Sequence, residues 1–418
     1  MHDYRTKYQK KSIFTLTKLT FLCTVTVSAF IEQASATNGF LGHCIGPFKC
    51  GTGGAGAASA TSAVDAMVNP ALISKQENNL VMDLRLLHVN LDMDTSSAPI
   101  GNKVGKQKTR LTDFPDFSAG AIYNINEQLT VGIAMAASGG MATKYKSPRT
   151  NTAFQDSPPF DRTAMYRLAH FAPSISWKLD DNISIGGSLL IGYSDFKTDS
   201  AKATPQGVFA QTNGHNKRQN ALGYGGRVGL VWDVSHLVSF GASCSTPVFF
   251  KKFTKYTDVL LGPINTPINF VIGSNWHITD SVDLLFDVKQ VLYKKVKAIG
   301  RSPANGGFGW NNQTIFMTGV TKHYDKWSVS LGYSYGKSPI SKDKTFANGL
   351  FPAIVEQHFT AGLGYKIIEN TELRFGGFYV PKKTQTDPGS GDKFSKFGQG
   401  TKINMSQYGV FLGTKYNF

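Results

Sequence analysis

Long hydrophobic runs are the first thing this 418-residue chain lacks. The longest, Leu19 to Phe30, falls well short of the ~20 residues a helix needs to cross a bilayer. Nothing after it approaches membrane-helix length, so a helical membrane protein is excluded. Catalytic signatures are missing as well. No Gly-x-Ser-x-Gly, His-Glu-x-x-His or Walker-type loop occurs, and Gly51 to Gly56 matches a phosphate loop in composition only. The nine histidines are scattered, and a barrel hydrolase would have to rest on His88, His170 and Ser174. We expect no enzyme, no cofactor and no metal. Acidic residues are scarce, 28 against 44 Lys and Arg, for a formal charge of +16. The basic residues are dispersed and framed by no nucleic-acid motif. They fit loops facing anionic head groups, or a basic interior that attracts carboxylates.

Cysteine is rare, four in all. Cys23 lies in a segment that reads as a secretory signal over residues 1–36. Arg5, Lys7, Lys10, Lys11 and Lys18 form its basic start, Leu19 to Phe30 its apolar centre, and Ala34-Ser35-Ala36 its cleavage site. Leu22 is too bulky to precede a lipidated Cys. Cleavage removes five basic and two acidic residues and leaves +13. Cys44 and Cys50 then flank five residues and are candidates for a disulfide in an oxidising periplasm. Metal binding is the rival, with His43 alone nearby. Cys244 stands by itself in an alternating stretch.

What the chain has is glycine, 43 residues, 12% aromatics, and alternation of period two from residue 79 onward. Trp327, Val329, Leu331, Tyr333 and Tyr335 alternate with Ser and Gly, and Ile183–Ser194, Phe359–Ile367 and Tyr408–Phe418 do the same. A polar face of small residues opposite an apolar face with aromatics near strand ends is the lumen-in, lipid-out pattern of an outer-membrane barrel. A soluble sandwich would need protected edges; closure pairs every backbone group, as a bilayer demands. Short turns (Asn124–Gln128, Asp180–Asn182, Val234–Leu237, Thr279–Ser281, Tyr324–Lys326, Glu369–Asn370) alternate with long polar segments. The count is about 14 strands, from Leu80–Asp92 to Lys402–Phe418. The fold class is therefore all-β, a transmembrane antiparallel β-barrel over residues 80–418, with Thr37 to Lys75 a small, apolar, irregular piece enclosed by it (domain 37–79).

The opening Asn38-Gly39-Phe40, the Gly-Ala-rich run and Asn69-Pro70-Ala71 resemble the start of mature FadL/TodX/OmpP1-type outer-membrane transporters. Gly307–Gln313, Gly332–Ile340 and Leu350–Glu356 resemble later family segments in the expected order, and the terminal Phe418 suits an outer-membrane barrel. The resemblance implies a monomer, folded by the barrel-assembly machinery into outer-membrane lipid and lipopolysaccharide. It implies an N-terminal hatch that gates passive uptake of long-chain fatty acids or similar hydrophobic molecules. Exit is sideways, where the third strand, here Leu129–Ala137 running into Ser138-Gly139-Gly140, is kinked. Asn69-Pro70-Ala71 would face that kink; the bland alternative is an ordinary turn after a short helix. Thr37, Asn38, Gly39 and Phe40 would lie near ligand and shift with it, unless Phe40 simply packs the plug. Arg85, Arg227, Lys289 and Arg374 fall on inward faces, and Arg301 precedes the Trp310 segment. Any of these could hold a ligand carboxylate, or the lumen cations could pair with Asp83, Asp283, Asp287 or Glu372. The alternatives are a surface barrel whose loops act as adhesin or receptor, a channel for aromatic hydrocarbons, and a general porin. An apolar plug argues against the porin.

Overall fold

The computed structural model describes residues 38–99, 105–146, 161–198, 202–203, 209–210, 216–257, 259–260 and 262–418. Residues 1–36, expected to be a signal segment, and Thr37 lie outside them, as does most of the loop from Thr198 to Lys217. Fourteen long strands run antiparallel, each paired with its chain neighbours. They are β1 (Asn79–Asp94), β2 (Asp113–Asn124), β3 (Leu129–Lys146), β4 (Asp161–Lys178), β5 (Ile183–Thr198), β6 (Gln219–Ser235) and β7 (Val238–Ser245). The second half comprises β8 (Asn269–Thr279), β9 (Val282–Val291), β10 (Gln313–His323), β11 (Trp327–Gly336), β12 (Gln357–Ile368), β13 (Thr371–Thr386) and β14 (Lys402–Asn417). Two short pieces, Lys106–Lys108 and Phe249–Phe250, add to the ladders of β1 and β6. Residues Asn79 to Asp94 of β1 pair with Asn417 to Lys402 of β14, which closes the barrel and leaves no sheet edge.

Alternation decides which side chain meets lipid. On β14, Tyr408, Val410 and Leu412 face outward and exposed, while Gln407 and Phe411 are buried. The six short turns stand where the sequence places them, at the end where β1 begins and β14 finishes, so by the outer-membrane rule that end is periplasmic. One boundary differs. β3 does not stop at Ala137 but continues to Lys146, because Ser138 forms a bulge: the register with β4 shifts between Ala137 and Gly139.

Residues 38–78 fill the lumen with one short helix (Pro47–Gly51) and two 3-10 turns (Ala63–Met67, Pro70–Lys75). Small residues let this backbone approach the wall. The amides of Gly56 and Ala57 donate to Asp287 Oδ2 on β9 at 2.9 and 2.8 Å, and Gly53 donates to Thr360 Oγ1 on β12. Inside the plug Lys49 and Asp65 form a buried ion pair at 3.2 Å. Cys44 and Cys50 are bonded to one another.

Candidate functional site

The β2–β3 ladder ends early. Its last pair toward the extracellular end is Ser118 with Ala136, and the rest of β2, Asp113 to Phe117, pairs with β1 alone. Pro115 sits in that one-sided stretch, where a missing N–H costs nothing. β3 meanwhile continues ten residues beyond Ala136, so the wall is broken between the two strands. Residues 40–42 occupy the break. Gly140 N–H donates to the Phe40 carbonyl at 2.8 Å, Gly42 N–H donates to the Ser138 carbonyl at 3.0 Å, and Leu41 bridges Gly139. Glycine at 139 is required by this approach, since a Cβ there would lie 2.1 Å from the Phe40 carbonyl oxygen.

The same residue reaches the other way with its side chain. Phe40 is fully buried in an aromatic box of Tyr166, Tyr293 and Trp310, with ring centroids 5.5, 5.4 and 6.1 Å away. Tyr166 comes from β4, whereas Tyr293 and Trp310 belong to the extracellular loop between β9 and β10. Trp310 is fixed in turn by its indole N–H to Asn348 Oδ1 at 2.7 Å. Burial pushes the Tyr293 hydroxyl up, so it stays protonated and donates to the Asn38 carbonyl. Phe40 therefore connects an aromatic cluster beneath the loops to the plugged break in the wall.

Asn69-Pro70-Ala71 lies elsewhere than expected. Asn69 Nδ2 donates to the carbonyls of Ala57 (2.8 Å) and Leu230 (3.0 Å), and its Oδ1 accepts from Ala71 N–H. This turn packs on β5 and β6, where Gly186 and Gly229 leave the room it occupies, and not on the bend at Ser138. Asn69 thus ties the plug to β6, three strands round the wall from β9, where Asp287 holds the same stretch of plug.

The four inward cations divide in two. Arg85 is spent on Asp116 of β2, with Nε at 2.8 Å and Nη2 closer, and it also donates to the Cys44 carbonyl. Its carboxylate is Asp116 rather than Asp83, which accepts from Ser118. Arg374 pairs with Glu372, donates to Ser328 and Ser330, and stacks on Phe48 at 4.3 Å. Asp283 is held by His277 and His323, and Asp287 by the plug. That leaves Arg227 and Lys289. Arg227 Nε donates to Ser245 at 2.7 Å, its Nη1 is buried without a partner, and no carboxylate pairs with either residue among those described. His170 also faces the lumen, its Nε2 buried and unpartnered. Arg301 is exposed in the loop and joins no lumen site. Ser174 bonds Ser188 and the Ala172 carbonyl and neither His88 nor His170, so no nucleophile–base pair is formed. Tyr166, Tyr293 and Asp116 were not legible as site residues. Tyr166 offered one signal, a phenol ring on the face of β4 that also carries Leu168, His170, Ala172 and Ser174.

Residues 35–418 match the family described as Outer membrane protein transport protein (OMPP1/FadL/TodX). The chain belongs to this family. No curated protein matches it. Its fold is similar to the Pseudomonas putida toluene transporter TodX, with 13% identity, TM-score 0.71, and 90% of this chain and 99% of that chain covered. A Pseudomonas aeruginosa FadL homologue superposes at TM-score 0.67 with 12% identity, covering 91% of this chain and 99% of the other. The Ralstonia pickettii toluene transporter TbuX superposes at 0.62 with 16% identity, covering 90% and 99%. As a FadL/TodX-type barrel the chain is an outer-membrane transport protein for hydrophobic compounds, and the family comprises channels rather than enzymes.

Proposed function

We propose that this barrel takes up long-chain fatty acids or similar acid-headed hydrophobic molecules by passive diffusion, with release sideways through the break between β2 and β3. The observation that carries this reading is the double engagement of Phe40. Its ring fills the aromatic box and its carbonyl holds Gly140 across the wall gap. A ligand entering the box displaces the ring, the strap 40–42 loses its anchor, and the apolar tail meets an opening toward the hydrocarbon of the membrane. No energy input is needed, because the ligand runs down its own gradient into lipid. Asn69 and Asp287 hold the rest of the plug in place while the strap moves.

Arg227 and Lys289 bear on the ligand class. Two cations without a carboxylate partner, in a lumen of low dielectric, attract an acidic head group far more strongly than they would in water. The second reading, uptake of aromatic hydrocarbons, is favoured by the box itself, which already holds a phenyl ring. The toluene transporters that share the fold support it as well. Uptake of labelled oleate and of toluene by cells lacking their own transporter separates the two. Wild type restoring oleate uptake, with Arg227→Met/Lys289→Met losing it at equal surface expression, supports the fatty-acid reading. Toluene uptake alone, indifferent to those substitutions, supports the second. Import of neither by a folded barrel would leave a loop-mediated adhesin or receptor role and overturn both.

A further inference from the structure

A polar cavity of about 240 Å³ lies at the periplasmic end of the lumen, between plug residues of the stretch Phe48 to Thr61 and the wall from β9 to β14. It is smaller than the ~300–1,000 Å³ of sites that take drug-sized molecules, yet far roomier than a single water requires. Its charge is one-sided. Five Lys or Arg side chains line it against two carboxylates, Asp283 and Glu372. Asp325 and Glu369, in the adjoining turns, do not line it. Asp283 is held between His277 and His323, and Glu372 pairs with Arg374.

The cations stand at two depths. Arg374 is at the floor, 5% exposed, with Nη1 and Nη2 on the Ser330 and Ser328 hydroxyls and Nε buried without a partner. Lys49, on the plug side, is taken by Asp65 and by the carbonyls of Gly56 and Ser59. At the mouth the Lys366 N–H bonds the Lys326 carbonyl at 2.9 Å, which sets these two lysines side by side. Arg374 lies across from Gly364, two residues and ~7 Å deeper than Lys366. Lys415 joins wall to plug, its ammonium donating to the Thr61 carbonyl at 2.9 Å. Lys326 and Lys366 are exposed, and neither they nor Lys415 pairs with a carboxylate among the described residues. All three face the lumen. Lys326 shares its face with Ser328 and Ser330, while Trp327 and Val329 on the other face meet lipid. Membrane head groups are therefore on the far side of the wall, and the cavity is reached from the periplasm.

Cations at two depths, open to periplasmic water and walled off from lipid, are complementary to a small soluble molecule with two or more anionic groups. We propose that this vestibule binds such a polyanion, a polycarboxylate or a phosphorylated compound, with one anionic group beside Arg374 and Lys415 and another between Lys326 and Lys366. A partly desolvated floor strengthens the attraction over that of the same charges in open water. Chloride is the poorer fit, because one charge satisfies a single level. Plug and wall line the cavity together, so the occupant braces the turn at Ser59–Thr61 against β13 and β14. The inference holds or fails independently of which hydrophobic compound is transported and of where that compound leaves the barrel.

The test is isothermal titration calorimetry of the full chain in mild detergent, with citrate and with pyrophosphate, at constant ionic strength made up with chloride. At least one of the two should bind saturably; citrate alone marks a polycarboxylate site, pyrophosphate alone a phosphate site. Lys326→Gln/Lys366→Gln removes the mouth charges at exposed positions and should weaken binding by on the order of 10-fold. Hydrogen exchange supplies the second readout. At a concentration ten times the Kd, the anion that binds should slow exchange over residues 59–62 by about 10-fold in wild type. Saturable binding of neither anion overturns the inference. So does undiminished binding in the lysine variant when its barrel still shows heat-modifiable migration, or unchanged exchange over residues 59–62 at saturation.

Discussion

Replacing Phe40 by Ala acts on the pocket and the wall break at once. The ring is fully buried against Tyr166, Tyr293 and Trp310, and it lies one residue from the strand bridge that closes the gap. Truncating a buried Phe costs about 3–5 kcal/mol. What remains to tie residues 40–42 to β3 is the pair of backbone bonds at 2.8 and 3.0 Å, each with a net contribution of about 1 kcal/mol, beside the buried Leu41 side chain. The equilibrium between seated and displaced strap should therefore shift by about two to three orders of magnitude. The Gly140 amide reports this directly, since its only protection in the gap is the Phe40 carbonyl. Hydrogen exchange read by mass spectrometry over residues 136–142 should accelerate ~100-fold or more, while β9 to β14 keep wild-type protection. Ligand-independent leakage of hydrophobic dyes should rise in parallel. An acceleration under about tenfold would mean that the ring does not anchor the strap, and the coupling of pocket to gap would be refuted.

Further consequences follow from the polar ties. Arg85→Met strands Asp116 inside the wall beside the break and should cost about 3–5 kcal/mol, with most of it recovered in Arg85→Met/Asp116→Leu; thermal unfolding by heat-modifiable migration checks this. Asn69→Ala removes the Nδ2 bond from plug to wall at Leu230 and the one within the plug at Ala57, and leaves the buried Ala57 carbonyl unpaired. It should loosen the plug by about 1–3 kcal/mol, seen as faster exchange over residues 57–75 with the barrel unchanged. Cutting the Cys44–Cys50 bond with Cys44→Ser/Cys50→Ser frees a short loop and should destabilise the plug by about 2 kcal/mol on the chain-entropy account, measured as protease sensitivity of residues 42–52.

The barrel was legible because lipid and lumen impose opposite demands on successive residues. Strand alternation, six short turns and the closing Phe418 needed no tertiary information. The bulge at Ser138 was half legible. Two glycines announced a bend, but a strand resuming after it to Lys146 depends on pairing with β4, which no local pattern reveals. Asn69 was recognised as a plug residue and assigned to the wrong wall, because its partners Ala57 and Leu230 are backbone carbonyls that carry no sequence signature. The same applies to the lumen cations. Alternation put Arg85, Arg227, Lys289 and Arg374 on the inner face, yet only register shows that Asp116 stands directly across from Arg85 while Arg227 faces Ser188 and Ser245. Tyr293, in an irregular loop, had no periodicity to place it.

The lateral route is tested most directly by closing the break covalently. Phe117 and Ala137 are the first positions past the last β2–β3 pair, Ser118 with Ala136. Cysteines there, joined by a short thiol-specific cross-linker, bridge the two strands across the gap. Reconstituted protein carrying the bridge should lose uptake of labelled oleate, while the uncross-linked double variant keeps it and both forms still bind the ligand. Undiminished uptake through the bridged barrel would mean that the ligand leaves along the axis, past the plug, and would contradict exit through the wall.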